Sequence, residues 1–175
     1  MAQRVSGYAR IDHDIYETPG WCTEALLPHL PAKMHVWEPA SASGKIADVL
    51  MRAGHPVMLS DVRHGGNFLQ LPNPGSCDAI ITNPPFNLAF DFINHSLALM
   101  KPVRGIVAML LRIDYDSAKT RVKLFNQPPF AKKIVLTRRI RWIVGSTGSP
   151  SENHCWFIWD WRHAGPPTIA YEPDK

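Results

Sequence analysis

The chain has 175 residues, of which 45% are hydrophobic, and its formal net charge is +4 at pH 7. This length suits one compact core, so we expect a single domain over residues 1–175. The sequence contains no apolar run of the roughly 20 residues that cross a bilayer and no secretory leader, which predicts a soluble, intracellular protein without a membrane partner. The three cysteines are Cys22, Cys77 and Cys155. Their wide spacing disfavours a disulfide or zinc framework and predicts reduced side chains that pack in the interior.

Short strands and helices alternate along the first two thirds of the chain. Apolar spacing and helix stop signals predict, in order, a helix at 21–30, a strand at 35–37, a small-residue turn at 40–44, a helix at 45–53, strands at 56–59 and 78–82, a helix at 90–100 and a strand at 105–111. This alternation indicates an α/β fold with a mostly parallel, doubly wound sheet, whose ligands bind outside the carboxyl ends of the strands. Glu38, Asp61 and Asn83 follow three of these strands.

The last third of the chain has a different pattern. Residues 112–130 are polar and contain Pro128-Pro129, which predicts part helix and part mobile loop. Residues 134–144 and 154–161 are rich in β-forming side chains and are joined by a Gly/Ser/Pro loop at 145–153. We predict that they form a C-terminal antiparallel hairpin at the edge of the sheet.

The strongest chemical signal is Asn83-Pro84-Pro85-Phe86, directly after an apolar strand. Two consecutive prolines fix φ and remove two backbone donors, so the turn is rigid and its carbonyl oxygens face outward unpaired. The Asn83 side-chain oxygen and the Pro84 carbonyl are suited to accept both N–H hydrogens of an exocyclic amine on a base, which concentrates electron density on the nitrogen. Phe86 offers a flat face for a base turned out of a duplex. The alternative is an ordinary strand-to-helix turn with an asparagine cap.

A second feature is the turn at residues 38–44, where an acid ends a strand and small side chains open a helix. Small residues let the backbone approach a cofactor, and amides at the helix start can hold its carboxylate. Gly44-Lys45 suggests a phosphate-binding loop, but Pro39 stands where the first glycine is required and Ile46 replaces the Ser/Thr that would hold magnesium. We therefore reject nucleotide hydrolysis.

Two further positions could bind the cofactor's nucleoside. Asp61 follows the second strand at the spacing at which dinucleotide folds place an acid for ribose hydroxyls. Asn67 could bond an adenine ring and Phe68 could pack beside it. The alternatives are a solvated strand-end carboxylate for Asp61, a turn asparagine and a core phenylalanine.

In this order the motifs resemble the amino-methyltransferases that act on DNA adenine, in their small, phage-type form. Residues 16–19 are similar to the family's N-terminal motif, 38–44 to its first cofactor motif, 66–69 to its adenine-contacting segment and 78–86 to its catalytic motif. The resemblance implies a Rossmann-like class I methyltransferase fold and S-adenosylmethionine as cofactor, with S-adenosylhomocysteine as product. It implies catalytic roles for Asn83, Pro84, Pro85 and Phe86, and cofactor contacts by Tyr16, Thr18, Pro19, Glu38, Pro39, Ala40, Ala42, Gly44, Asp61, Val62, Asn67 and Phe68.

Two residues depart from the family pattern. Ala42 replaces the first glycine of the cofactor turn, where its methyl group could crowd the ligand or forbid a positive φ. Asn67 stands where an aspartate is usual, which alters the donor and acceptor pattern toward the cofactor's adenine. The chain also has no room for the separate target-recognition domain of many restriction-linked relatives, so sequence choice would come from loops or a partner.

Cations in the second half predict DNA as the partner, with RNA left open. Lys119, Arg121 and Lys123 precede the second Pro-Pro turn, and others surround the predicted hairpin, with Trp142 beside them. Such side chains contact phosphates without reading sequence. On an extended strand Arg139 and Arg141 would share one face and Arg138 the other. The alternative is an edge strand protected by charge.

Several functions remain open from the sequence. The leading prediction is methyl transfer to the 6-amino group of adenine in DNA, without a metal, in the cytoplasm of a bacterial or phage-infected cell. The same chemistry on an RNA adenine, a cytosine 4-amino group or a protein glutamine is the nearest alternative. A different class is a non-catalytic module that keeps the fold and binds cofactor and DNA, which Ala42 favours.

Overall fold

The computed structural model describes residues 16–142 and 152–173. Seven strands form one sheet in the order β2-β1-β3-β4-β6-β5-β7. The strands are β1 (Val36–Glu38), β2 (Val57–Leu59), β3 (Ala79–Thr82), β4 (Ile106–Arg112), β5 (Phe130–Val135), β6 (His154–Asp160) and β7 (Thr168–Tyr171). The first four strands pair in parallel, and β6 runs antiparallel to both of its neighbours, β4 and β5. The predicted α/β fold, mostly parallel with an antiparallel hairpin toward its C-terminal side, is confirmed.

Helices cover both faces of the sheet, as a doubly wound fold requires. They are α1 (Gly20–Leu26), α2 (Lys45–Arg52), α3 (Ala89–Met100) and α4 (Val122–Phe125). Alternate strand residues point to opposite faces, so the sheet has two apolar clusters. One joins α1 and α2 to Ile81 and Ala108, and the other joins α3 to Ile80 and Val107. No described helix has the length and apolar character to cross a bilayer.

The first two thirds of the chain follow the predicted elements closely. Pro19 precedes α1, and α2 ends before Gly54, whose φ of 90° breaks the helix. The strand predicted at 105–111 is β4, which is buried over six of its seven residues. Its side chains alternate between the two apolar clusters, with Ala108 in one and Val107 in the other, so both faces of the strand are buried, which explains its continuous apolar run.

The predicted hairpin exists, but its place and its first strand were wrong. Strand β6 lies inside the sheet between β4 and β5, and the edge is β7, a strand that was not predicted. The first strand occupies 130–135, and residues 136–142 are not in a strand; 143 and 144 lie outside the described residues, as does the loop 145–151.

The lysines at the start of β5 conceal its strand pattern. Lys133 Nζ donates to the Ile113 carbonyl at 2.8 Å and to Asp116 Oδ2 at 2.7 Å. A bulge between Phe130 and Lys132 also shifts the register against β6. The Lys133 ammonium group is thus bonded by residues outside the strand, and the bulge interrupts the two-residue alternation of side chains. For these two reasons the alternation of polar and apolar residues does not predict this strand.

Candidate active site

The carboxyl ends of β1 and β3 form one side of a cleft. These strands are adjacent and parallel, so Glu38 at the end of β1 and Asn83 just after β3 lie at the same edge of the sheet. The cleft encloses about 240 Å³, including the part open to solvent. Its lining consists of Tyr16, Glu17, Thr18, Glu38, Ala40, Ser41, Ala42, Ser43, Lys45, Ile46 and Asn83. The structure thus brings together the predicted N-terminal motif, the predicted cofactor turn and the first residue of the predicted catalytic loop.

The Asn83 side chain has one bonded and one unbonded end. Its Nδ2 donates to the Tyr16 carbonyl at 3.3 Å, whereas its Oδ1 is buried and has no hydrogen-bond partner among the described residues. The Pro84 carbonyl likewise accepts no hydrogen bond from any described backbone amide. The Pro85 carbonyl accepts one from the Leu88 amide at 3.0 Å. A buried polar atom without a partner costs about 1–3 kcal/mol. Other buried side-chain atoms of the described residues also lack a partner, but of these residues only Asn83 lines the cleft.

Three aromatic rings lie beside this loop. Phe86 is 38% exposed, and its ring centroid is 5.4 Å from that of Tyr16 and 6.4 Å from that of Trp142. Tyr16 and Trp142 are 5.7 Å apart. Sequence reasoning placed Tyr16 with the cofactor and Trp142 with the basic residues, and only the fold brings them to Phe86. The cluster offers flat apolar surface next to the unpaired Asn83 oxygen.

The cofactor turn uses a left-handed backbone at Ala42. Its φ is 47°, and Gly44 has φ 83°. Of the two alternatives for the Ala42 methyl group, that it forbids a positive φ is wrong, and that it crowds the ligand stays a prediction. The Ala42 amide donates to Asp61 Oδ2 at 3.0 Å. This bond helps to hold a conformation that costs a non-glycine residue roughly 1–2 kcal/mol.

Glu38 lies in the wall of the cleft and is 1% exposed. Its Oε2 accepts a hydrogen bond from the Ala47 amide at 3.0 Å. Burial raises the pKa of Glu38 to about 8, and the nearby charges of Asp48 and Asp61 act in the same direction against that one amide donor. Glu38 is therefore largely protonated at neutral pH.

Several residues predicted to contact the cofactor do not line the cleft. Phe68 is 2% exposed and packs against Trp37 and Phe92, in the core role that was its alternative. The Asn67 side chain accepts from the Leu69 amide at 3.3 Å and caps a short 3₁₀ turn. The other predicted cofactor residues that lie outside the lining are Pro19, Pro39, Gly44, Asp61 and Val62.

Sequence reasoning missed a charged pair in the cleft. Lys45, the first residue of α2, pairs with Glu17 of the N-terminal motif. The hydrogen bond from Lys45, followed by one from Ser43, lowers the pKa of Glu17. Five lining residues were not predicted as cofactor contacts, although the first three of them lie inside the predicted motifs: Glu17, Ser41, Ser43, Lys45 and Ile46. The signal for Lys45 was the dipeptide Gly44-Lys45, which also occurs in phosphate-binding loops.

The predicted DNA-contacting cations occupy different environments. Arg138 pairs with Glu172 (Nε to Oε1, 2.6 Å) and lies over the Trp21 ring at 4.2 Å. Arg121 lies over the Tyr115 ring at 3.9 Å. Lys119 and Lys123 are exposed. Two of the six cations are thus packed on aromatic rings.

The expected strand faces around Arg139 and Arg141 were wrong, because residues 136–142 are not in a strand. Arg139 Nε donates to Asn153 Oδ1 at 3.0 Å, and Arg141 is exposed. Ile140 is buried in the apolar cluster beneath α1. The segment is anchored by Ile140, by the Leu136 amide, which donates to the His154 carbonyl at 3.1 Å, and by the Thr137 amide, which donates to Glu172 Oε2 at 2.9 Å.

The fold is that of the class I S-adenosylmethionine-dependent methyltransferases. A protein from Listeria monocytogenes described as such a methyltransferase superposes with a TM-score of 0.57 at 13% identity, over 94% of this chain and 68% of that one. The M protein of the type I restriction enzyme EcoKI superposes with a TM-score of 0.54 at 12% identity, over 83% of this chain and 44% of that one.

A modification subunit of a type I restriction enzyme from Vibrio vulnificus YJ016 superposes with a TM-score of 0.57 at 14% identity, over 91% of this chain and 47% of that one. This chain thus spans less than half of the length of the two modification proteins. No family model and no curated protein sequence matches it. At these identities the likeness concerns the fold alone.

Proposed function

We propose that this chain transfers a methyl group from S-adenosylmethionine to the 6-amino group of adenine in DNA. The observation that carries the proposal is the buried, unpartnered Oδ1 of Asn83 in a cleft shared with the small-residue turn before α2. An oxygen in this position lacks a donor, and an exocyclic amine supplies one. No donor among the described residues forms a hydrogen bond with Asn83 Oδ1.

The residues in the cleft fit one end of the cofactor. The cleft is lined by the N-terminal motif, the small-residue turn and the start of α2, while Asp61, Asn67 and Phe68 lie outside it, so its lining suits the methionine part of the cofactor rather than the whole molecule. Tyr16, Thr18 and the start of α2 would hold that part, with Lys45 beside its carboxylate. When bound, S-adenosylmethionine supplies a sulfonium methyl group that an amine can attack.

The catalytic loop would act on the acceptor amine. The lone pair of an adenine amine is delocalised into the ring, which makes the nitrogen a weak nucleophile. Hydrogen bonds from its two N–H groups to Asn83 Oδ1 and to the Pro84 carbonyl concentrate electron density on the nitrogen and orient it. Stacking on Phe86 offsets part of the few kcal/mol spent on unstacking the base. The proton displaced from the amine leaves to water.

DNA is the proposed partner because of the exposed cations and because two fold neighbours are restriction-modification proteins. Lys119, Lys123 and Arg141 are exposed, and such side chains bind phosphates in a salt-sensitive manner. Incubation with labelled S-adenosylmethionine and DNA, RNA or protein distinguishes the acceptors. Mass spectrometry of the digested product identifies the methylated nucleoside, with 6-methyladenine from DNA as the expected result.

The variant Asn83→Ala tests the role of the catalytic loop. Turnover should fall on the order of 10²-fold or more, as for a lost transition-state contact, while cofactor affinity stays within a few fold. Asn94→Ala is the matched control, because the side chain of this exposed asparagine donates to the Phe90 carbonyl of the same helix and lies outside the cleft lining. Full turnover by Asn83→Ala would refute the assignment.

A second candidate is a module that binds cofactor and DNA without catalysis. It is favoured by Asp61, the predicted ribose ligand, whose carboxylate is already bonded within the chain. Cofactor binding without methylation of DNA, RNA or protein would support this candidate.

A further inference from the structure

The carboxylate of Asp61 is fully occupied by donors of its own chain. Its Oδ1 accepts from the Arg63 amide at 2.9 Å and from Arg63 Nε at 2.8 Å. Its Oδ2 accepts from the Ala42 amide at 3.0 Å and from Arg63 Nη2 at 3.1 Å. A carboxylate offers about four acceptor positions. Two hydroxyls of a ribose therefore cannot bond to Asp61 without displacing donors that are already there.

The four donors differ in how easily they can leave. The amides of Ala42 and Arg63 are backbone groups, held by the turn before α2 and by the 3₁₀ turn that Asp61 caps. The Arg63 guanidinium is at the end of a flexible side chain that is 33% exposed, whereas the Asp61 side chain is 9% exposed. Removal of the guanidinium vacates two acceptor positions, the number that a ribose diol occupies.

We propose that Arg63 competes with the cofactor's ribose for Asp61 and thereby sets the affinity of the site. This inference rests on the proposed function, because it concerns the nucleoside end of the same cofactor. Binding then exchanges the two side-chain hydrogen bonds of Arg63 for two hydroxyl hydrogen bonds, while the Ala42 amide stays on Oδ2. Arg63 is a positioning residue that acts through Asp61.

The chain contains a matched control for this pair. Arg162 follows Asp160 at the same spacing as Arg63 follows Asp61, and its amide and Nε donate to Asp160 Oδ1 at 2.9 and 3.0 Å. Neither pair lines the cleft, but Asp61 also accepts from the amide of the lining residue Ala42, whereas the second Asp-x-Arg pair lies at the end of β6. Loss of Arg162 therefore removes the same local contact without vacating the predicted ribose ligand.

The test is a calorimetric titration of the whole chain with S-adenosylhomocysteine. Arg63→Gln should bind about 3- to 10-fold more tightly than the wild type, because a partly exposed ion pair no longer has to be broken. Arg63→Lys, which cannot form the two-pronged contact, should fall between them, and Arg162→Gln should bind like the wild type. Unchanged or weaker binding by both Arg63 variants overturns the inference alone.

A second readout separates competition from a structural role. Without ligand, Arg63→Gln should unfold at a slightly lower temperature than the wild type, but S-adenosylhomocysteine should raise its unfolding temperature by more. An equal or smaller ligand-induced shift in Arg63→Gln contradicts competition. Absence of binding by the wild type and by all variants overturns the proposed function and this inference together.

Discussion

Glu38 and Asp61 are two acids at the ends of neighbouring parallel strands, and their environments shift their pKa values in opposite directions. Both residues are buried, at 1% and 7% exposure. Glu38 has one amide donor, and its pKa is raised to about 8 by burial. Burial also acts to raise the pKa of Asp61, but the hydrogen bonds from Arg63 and Ala42 outweigh it and hold that pKa below its ordinary value.

The comparison shows how hydrogen-bond donors offset burial at this edge of the sheet: Glu38 is the more deeply buried acid and has one donor, whereas Asp61 accepts four N–H bonds, two of them from a guanidinium. A carboxylate that accepts several N–H bonds, some of them from a cation, stays ionised, whereas a deeply buried one that accepts a single amide bond takes up a proton. Glu38 is therefore a neutral wall of the cleft, while Asp61 is an anion that holds the Ala42 turn. Substitution of either acid, or of Ala42 in the turn that Asp61 holds, tests this difference.

The largest expected effect is the pH dependence that Glu38 imposes on stability. The pKa of Glu38 in the folded chain is about 8, above its ordinary value of 4.5. The stability that the protonated side chain contributes is therefore complete below the unfolded pKa and is lost as the pH rises from there through about 8. The loss is on the order of 4 kcal/mol. Urea unfolding at pH 5, 7 and 9 should show this decline in the wild type and a much flatter profile in Glu38→Gln. Parallel profiles would contradict a protonated Glu38.

An intermediate effect is expected from Asp61→Asn. At pH 7 the variant should be less stable by about 2 kcal/mol, because charge-assisted hydrogen bonds from Arg63 are lost. The folded pKa of Asp61 is lowered, so its contribution is present above the unfolded pKa and disappears as pH falls through the folded pKa. Wild type and variant should therefore converge in acid unfolding experiments.

Asp160→Asn is the control for this measurement, since Asp160 forms the same local pair with Arg162 but is more exposed than Asp61. Its effect at pH 7 should be smaller than that of Asp61→Asn. Equal effects would mean that the Asp61 pair is an ordinary surface contact.

The smallest expected effect concerns Ala42. Ala42→Gly should raise the free energy of unfolding by about 0.5–1 kcal/mol, because glycine removes the strain of a φ of 47°. The greater backbone entropy of glycine in the unfolded chain offsets part of this gain. Ala40→Gly, in the same turn without a positive φ, should be destabilising. Chemical denaturation of both variants checks the sign, and a loss of stability in Ala42→Gly would mean that the turn does not impose the strain.

The site was only partly predictable from the sequence. Asn83, Glu38 and the turn before α2 were found because each follows a recognisable strand, and parallel strands bring their carboxyl ends to one edge. The pair between Arg63 and Asp61 was not found, because nothing in the spacing says which donors reach a carboxylate. Ala42, whose amide also donates to Asp61, is 19 residues away from it in the sequence.

The sequence by itself determined the alternation of strands and helices up to Arg112, because periodic burial leaves a periodic apolar pattern. Only the tertiary structure decided that β6 lies between β4 and β5, that β7 forms the edge, and that Tyr16 and Trp142 meet Phe86. The physical reason is that a local pattern reports which face of an element is buried. Which strand pairs beside it, and how many donors reach an acid, depend on residues far apart in the chain.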